Sequence, residues 1–144
     1  MGQAREVMDR VTEAIVTQKD FKVAEECYAE NAVLISPDQG EIRGREGVID
    51  YLREFMDAFP DSRFESLHKY ESGDTAIDEG WFVGTNAAPL PLPTGGTIPA
   101  TGKQVRLRNC DFATVEDGHI VEHRFYFDQM DFLEQLGITS EKLS

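Results

Sequence analysis

The chain has 144 residues, with 14 basic against 27 acidic side chains and a formal net charge of −13. That length fits one domain around one core, and the negative balance opposes binding to nucleic acid or to an anionic membrane surface. Cys27 and Cys110 show neither metal-ligand spacing nor a disulfide framework, so both are expected as reduced thiols.

In chain order, helices come first. From Gln3 to Lys19 the apolar residues Val7, Met8, Val11, Ala14 and Ile15 recur at helical spacing, and Asp20 then stands where an N-cap belongs, ahead of a second helix, FKVAEECYAE. The opening MGQAREVMDRVTEAI lacks an apolar run of signal-peptide length. No later run is long enough to span a bilayer, which makes the cytoplasm the default location. A short strand is expected over Ala32 to Ser36, a turn at Pro37-Asp38-Gln39-Gly40, and a brief extended piece over Glu41 to Arg43. A third helix, about Gly44 to Ala58, carries Val48, Tyr51, Leu52, Phe55 and Phe59 on one stripe and stops at Pro60-Asp61.

Beyond Pro60 the period changes to two. Arg63 to Tyr70 and Thr75 to Asn86 are expected as strands about a Glu71-Ser72-Gly73-Asp74 turn. The loop AAPLPLPTGGTIPATGK holds four prolines and cannot form a regular ladder. Its Leu90, Leu92 and Ile98 are too apolar for a bare linker and suit a lid over a pocket mouth. The hairpin VRLRNCDFATVEDGHIVEHRFYFD comes next, and Gln129 to Leu136 forms a closing helix ending at Gly137, with Asp128 as its cap. Helices followed by a strand meander imply an α+β fold, with the helices on the concave face of a curved antiparallel sheet and a cone-shaped cavity between them.

The hairpin carries the chemistry. A two-residue Asp117-Gly118 loop would pair Glu116 with His119 and mix polar with apolar faces. A three-residue loop with Gly118 in the left-handed region separates them, pairing Val115 with His119, Ala113 with Val121, Asp111 with His123 and Asn109 with Phe125. One face then holds Val105, Leu107, Asn109, Asp111, Ala113, Val115, Val121, His123, Phe125 and Phe127. Three polar intruders on an apolar face need partners or a purpose. A carboxylate beside an imidazole supplies both, with His123 as base, Asp111 as its orienter and Asn109 as donor to a developing oxyanion. A satisfied polar pair without catalysis is the competing reading.

Further candidates for ligand contact are Phe125 and Leu107 on the same face, Tyr51 on the third helix, and Trp81, Asn86 and His68 on the neighbouring strands. Each has a plainer role open to it, as packing or surface residue. The glycines of TGGTIPATGKQ lack phosphate-loop spacing, and His68, His119 and His123 give no paired-ligand spacing, so neither a cofactor nor a metal is implied.

The segments GREGVIDYLREFMDAFPD, GWFVGTN, TGKQVRLRN, DGHIVEHRFYFDQ and FLEQLG, in this order and spacing, resemble the SnoaL-like polyketide cyclase branch of the nuclear transport factor 2-like superfamily. The resemblance implies an α+β cone of the nuclear transport factor 2-like, cystatin-like kind. It also implies a pocket for a small, largely apolar carbonyl compound and chemistry of cyclase, isomerase or lyase type, or else binding alone. The cyclases place a histidine where this chain has Asp111 and their proton-abstracting aspartate where it has Phe125. Epoxide hydrolases of the superfamily place a catalytic aspartate at that same Phe125 position. His123-Arg124 matches the cyclases, so the resemblance moves the base to the Asp111 and His123 pair. Many such relatives are dimers packed through the outer sheet face. Here Arg106, Arg108, Phe112, Glu122, Arg124 and Tyr126 give that face an interface-like mixture, and a homodimer is expected. Size-exclusion chromatography with light scattering should return twice the chain mass; a monomer mass would overturn the expectation.

Overall fold

The computed structural model describes residues 2–91 and 96–138. Helix α1 (Gln3–Thr12) runs directly into a six-residue π-helical segment, Glu13–Gln18, so the expected single helix changes its winding half-way. Lys19, in the left-handed region at φ 54°, closes it, and Asp20 caps α2 (Phe21–Cys27) by accepting from the N–H groups of Lys22 and Val23. α2 ends earlier than its spacing suggests. Residues 28–30 open strand β1 (Tyr28–Ser36), because the fully buried Tyr28 is held in the sheet. After β2 (Gly40–Arg43) comes α3 (Arg45–Ala58), whose expected stripe of Val48, Tyr51, Leu52 and Phe55 is buried together with Phe59.

The remaining strands are β3 (Arg63–Ser72), β4 (Thr75–Thr85), the short β5 (Leu90–Pro91) and β6 (Thr97–Ile98), β7 (Gln104–Glu116) and β8 (His119–Tyr126). Helix α4 (Gln129–Gln135), capped by Asp128, closes the described chain. The curved main sheet has the order β2-β1-β8-β7-β4-β3. β3, β4, β7 and β8 make the expected antiparallel meander, while β1 lies parallel to β8. That parallel pair departs from the all-antiparallel expectation, and α3, between β1 and the meander, makes the required crossover possible. α1 crosses β4, β7 and β8, and α3 packs on β1, so the helices cover the concave face. Phe55, Phe59, Phe82 and Phe132 interlock there, with ring centroids 5.3–6.0 Å apart.

The hairpin reaches the expected faces by a different register. Asp117 (φ 51°) and Gly118 (φ 80°) form a two-residue turn that pairs Glu116 with His119 and Val115 with Ile120. Val121 is then the extra residue of a bulge, after which Thr114 opposes Glu122 and Ala113 opposes His123. The expected pairs Val115–His119 and Asp111–His123 are thereby corrected, and Ile120 takes the core position expected for Val121. The bulge lies one step inside the strand rather than in the turn. It restores odd-with-odd alternation, so Asp111 and His123 still share the inner face.

The described parts of the proline-rich loop pack into the core, and none of their residues lines the cavity. Leu90 and Ile98 are buried, and Leu92 and Pro93 lie outside the described residues. Asn86, fully buried, holds this loop: its Oδ1 accepts from the N–H and hydroxyl of Thr101, and its Nδ2 donates to the carbonyl of Ala88. Asn86→Ala should lower unfolding free energy by about 1–3 kcal/mol, the cost of leaving buried donors and acceptors unpaired, as read by urea denaturation.

Candidate functional site

A cavity opens between the helices and the inner face of the sheet. Room for the centres of water-sized molecules amounts to about 90 Å³, space for several waters or one compact ligand. α1 and its π-helical continuation supply Val11, Thr12, Ile15 and Val16; α3 supplies Tyr51, Leu52, Phe55 and Met56; the sheet supplies Phe64, Phe82, Leu107, Asn109, Asp111, His123 and Phe125, and Phe127 follows just after β8. The walls are overwhelmingly apolar. Asn109, Asp111, Leu107, His123, Phe125 and Tyr51, six of the residues expected at the site, meet here.

At the floor, His123 is held at both ring nitrogens. Its Nε2 lies 2.9 Å from Asp111 Oδ2, and its Nδ1 lies 2.7 Å from the Tyr28 hydroxyl. Tyr28 is completely buried, and desolvation, followed by the nearby charge of Asp111, pushes its phenol well above the ordinary tyrosine value. It therefore keeps its proton and donates to Nδ1, which leaves Nε2–H to donate to Asp111. Both ring nitrogens of His123 thus have protein partners. The free acceptor is Asp111 Oδ1, which makes no hydrogen bond among the described residues; the Asp111 side chain is 13% exposed against 6% for His123. Asp111 stands opposite Phe125 in the β7–β8 ladder, so the carboxylate lies one strand over from the ring.

Two places along β7 from Asp111, Asn109 faces the same cavity, and its Oδ1 is buried without a partner. A side-chain amide left in that state is positioned for a ligand's polar group, since its oxygen and nitrogen ends exchange by a simple flip. The Tyr51 ring lies 6.1 Å from that of Phe125, but its hydroxyl is committed to Asp38, 2.9 Å from each carboxylate oxygen. It offers the cavity a face and not a hydrogen bond.

Three expected contacts do not reach the cavity. His68 is exposed on β3, an edge strand, and stacks on Tyr70. Trp81 lies on the outer sheet face with the guanidinium of Arg106 4.0 Å and that of Arg108 5.0 Å from its ring. Asn86 is the loop anchor. Conversely, the sequence reading missed Tyr28, hidden by the helical extension given to α2, and Asp78, fully buried in β4. The alternation of Ala76, Asp78, Gly80 and Phe82 was a legible sign that Asp78 faces inward.

The model of the SnoaL-like domain matches residues 8–123, four-fifths of the sequence and every strand carrying the polar floor. The chain belongs to the SnoaL-like family. No curated protein matches it. Among solved structures, this SnoaL-like chain is similar to one from Jannaschia sp. CCS1 described as a SnoaL-like polyketide cyclase (18% identity, 95% of this chain and 93% of that one, TM-score 0.83). It is also similar to IdmH from Streptomyces antibioticus, described as a polyketide cyclase (23% identity, 95% and 100%, TM-score 0.75). An LEH-like epoxide hydrolase of M. tuberculosis is similar as well (19% identity, 93% and 89%, TM-score 0.70). At these identities the likeness is one of fold.

Asp38 gives the site a signature in stability. Burial pushes its carboxyl above the ordinary value, against the hydrogen bonds from Ser36, Tyr51 and Gln39 that favour the ionised form. A folded-state value above the unfolded one means that ionised Asp38 costs stability, a cost present at neutral pH and relieved as pH falls through the folded value. Asp38→Asn, which keeps an acceptor for Tyr51, should be more stable than wild type at pH 7, and the difference should vanish below the unfolded carboxylate range. Chemical denaturation across pH measures it.

Proposed function

We propose that this SnoaL-like protein is a cofactor-independent acid–base enzyme that moves a proton at the carbon next to a carbonyl of a small, largely apolar compound. Asp111 is the base in this reading. Its free Oδ1 takes the proton, the electron pair of the broken C–H bond moves onto the carbonyl oxygen, and the Asn109 amide donates to the enolate so formed. Return of the proton elsewhere gives an isomerase; capture of the enolate by a second carbonyl gives an aldol-type cyclase. His123, pinned by Tyr28, holds the carboxylate in place, and the aromatic walls exclude water. The observation that carries the reading is the pairing, in one apolar cavity, of a carboxylate oxygen and a side-chain amide oxygen that both lack hydrogen-bond partners among the described residues. SnoaL-like membership, with cyclase and hydrolase relatives of the same fold, is consistent with it.

A second reading is binding without turnover. Phe125 favours it, because a ring stands where the resemblance places the relatives' proton-abstracting aspartate. Under either reading we propose that the partners are an apolar small molecule in the cavity and, across the outer sheet face, a second copy of the chain.

Exchange of α-protons of 2-tetralone in D₂O, followed by proton NMR, separates the two. The enzyme reading expects acceleration by wild type and a loss of about a hundredfold or more in Asp111→Asn with the fold intact. Equal rates in the two proteins would remove Asp111 as the base. Tetralone bound without any acceleration would support the binding reading.

A further inference from the structure

The inner face of the sheet carries one continuous polar row. Four neighbouring strands contribute one residue each, Tyr28 from β1, His123 from β8, Asp111 from β7 and Asp78 from β4, and Arg5 of α1 closes the end. The first three form the hydrogen-bonded floor of the cavity. Asp78 is not part of the cavity lining, yet it is 1% exposed in the interior of an acidic protein. A carboxyl group in such a place needs a reason.

Register places Asp78 directly opposite Asp111 in the β4–β7 ladder. Directly opposed side chains stand on the same face with Cβ atoms about 4.5–5.5 Å apart. On the other side, Arg5 Nη2 lies 2.6 Å from Asp78 Oδ1. That guanidinium is shared: its Nε and Nη2 also donate to Asp9 Oδ1, and Nη1 donates to the carbonyls of Tyr70 and Ile77. Asp9 is met in turn by Lys69 at 2.8 Å. Three carboxyl groups (Asp9, Asp78, Asp111) thus face the two cations Arg5 and Lys69. The unbalanced negative charge falls on the Asp78–Asp111 pair.

We propose that Asp78 is a positioning residue for the site, set opposite Asp111 across the β4–β7 ladder so that the two carboxyl groups act as one electrostatically linked pair. Coupling between two such charges is reciprocal in principle, which makes either carboxyl group a place to test it. When Asp111 receives a proton from a ligand, the repulsion across the ladder is relieved, which favours the transfer. The direction at Asp78 agrees: burial first, then the charge of Asp111, raises its carboxyl above the ordinary value despite Arg5 and Lys69. Two further carboxylates lie near the pair, Glu79 on the outer face, paired with Arg108, and Glu71, which accepts from the Arg5 N–H, while three other groups carry no charge there. Cys110, next to Asp111 on β7, is raised by burial and stays a thiol; Tyr28 stays a phenol; Tyr51 of α3 lies across the cavity, bonded to Asp38.

The inference rests on Asp111 being the base only for its consequence in catalysis, and its first test is independent of turnover. Carbon-13 NMR of aspartate-labelled protein tracks the Asp78 carboxyl through a pH titration. In Asp111→Asn the midpoint of Asp78 should fall relative to wild type, since the charge opposite it is gone. An unmoved midpoint in a folded variant overturns the linkage. If the amide spectrum shows that Asp111→Asn does not fold, Asp111→Ser removes the same charge and is read in the same way. In the tetralone assay, Asp78→Asn should move the acidic limb of the rate profile to lower pH; an equal loss at every pH would mean a structural role alone and overturn the assignment. Absence of tetralone exchange in wild type would defeat the enzyme reading and leave the titration to decide the linkage.

Discussion

The site depends on an imidazole with no freedom left. His123 is bonded at one nitrogen to a phenol that burial keeps protonated and at the other to a carboxylate, so its tautomer, ring plane and charge are set together. Held in this way, the ring leaves Asp111 Oδ1 unbonded among the described residues and beside an apolar cavity. A doubly protonated ring would turn the floor into an ion pair and leave the Tyr28 hydroxyl hydrogen without an acceptor. The same two bonds tie β1, β8 and β7 together across the concave face, so folding and site assembly are one event.

Much of this was legible in the chain, for identifiable reasons. Period-two patterning marked the four meander strands, the stripe on α3 marked its buried face, and side chains such as Asp20 and Asp128 marked helix starts, because these are local signals. The co-location of Asp111 and His123 was also legible, although the predicted register was wrong. An inward-facing set that is apolar except for a few polar residues tolerates only registers that keep it on one side, and the chain meets that condition with a bulge at Val121 instead of a longer turn. The constraint of faces was stronger than the rule for the turn.

The features that escaped sequence reasoning depend on contacts distant in the chain. Tyr28 comes at the end of a helical run and reads as its continuation; only its bond to His123, 95 positions away, explains why the chain straightens there. That both ring nitrogens of His123 have protein partners was out of reach for the same reason, since one of the two partners is Tyr28. Trp81 and His68 failed as ligand contacts because strand alternation gives two faces without saying which is inner, and for Trp81 two flanking arginines settled it.

The π-helical turn at Glu13–Gln18 has a separate consequence. Its wider winding accommodates more residues per turn than an α-helix, and it brings Ile15 and Val16 to the cavity wall while Lys19, bonded to Ser62, pins its end. Loss of one residue there would rewind the segment and rotate its remaining side chains by roughly 100° about the helix axis. The outline of the cavity can therefore be redrawn from the helix alone, with every strand of the polar floor left where it is. The helical side of the cavity wall and the polar floor sit on separate parts of the chain and are free to diverge independently.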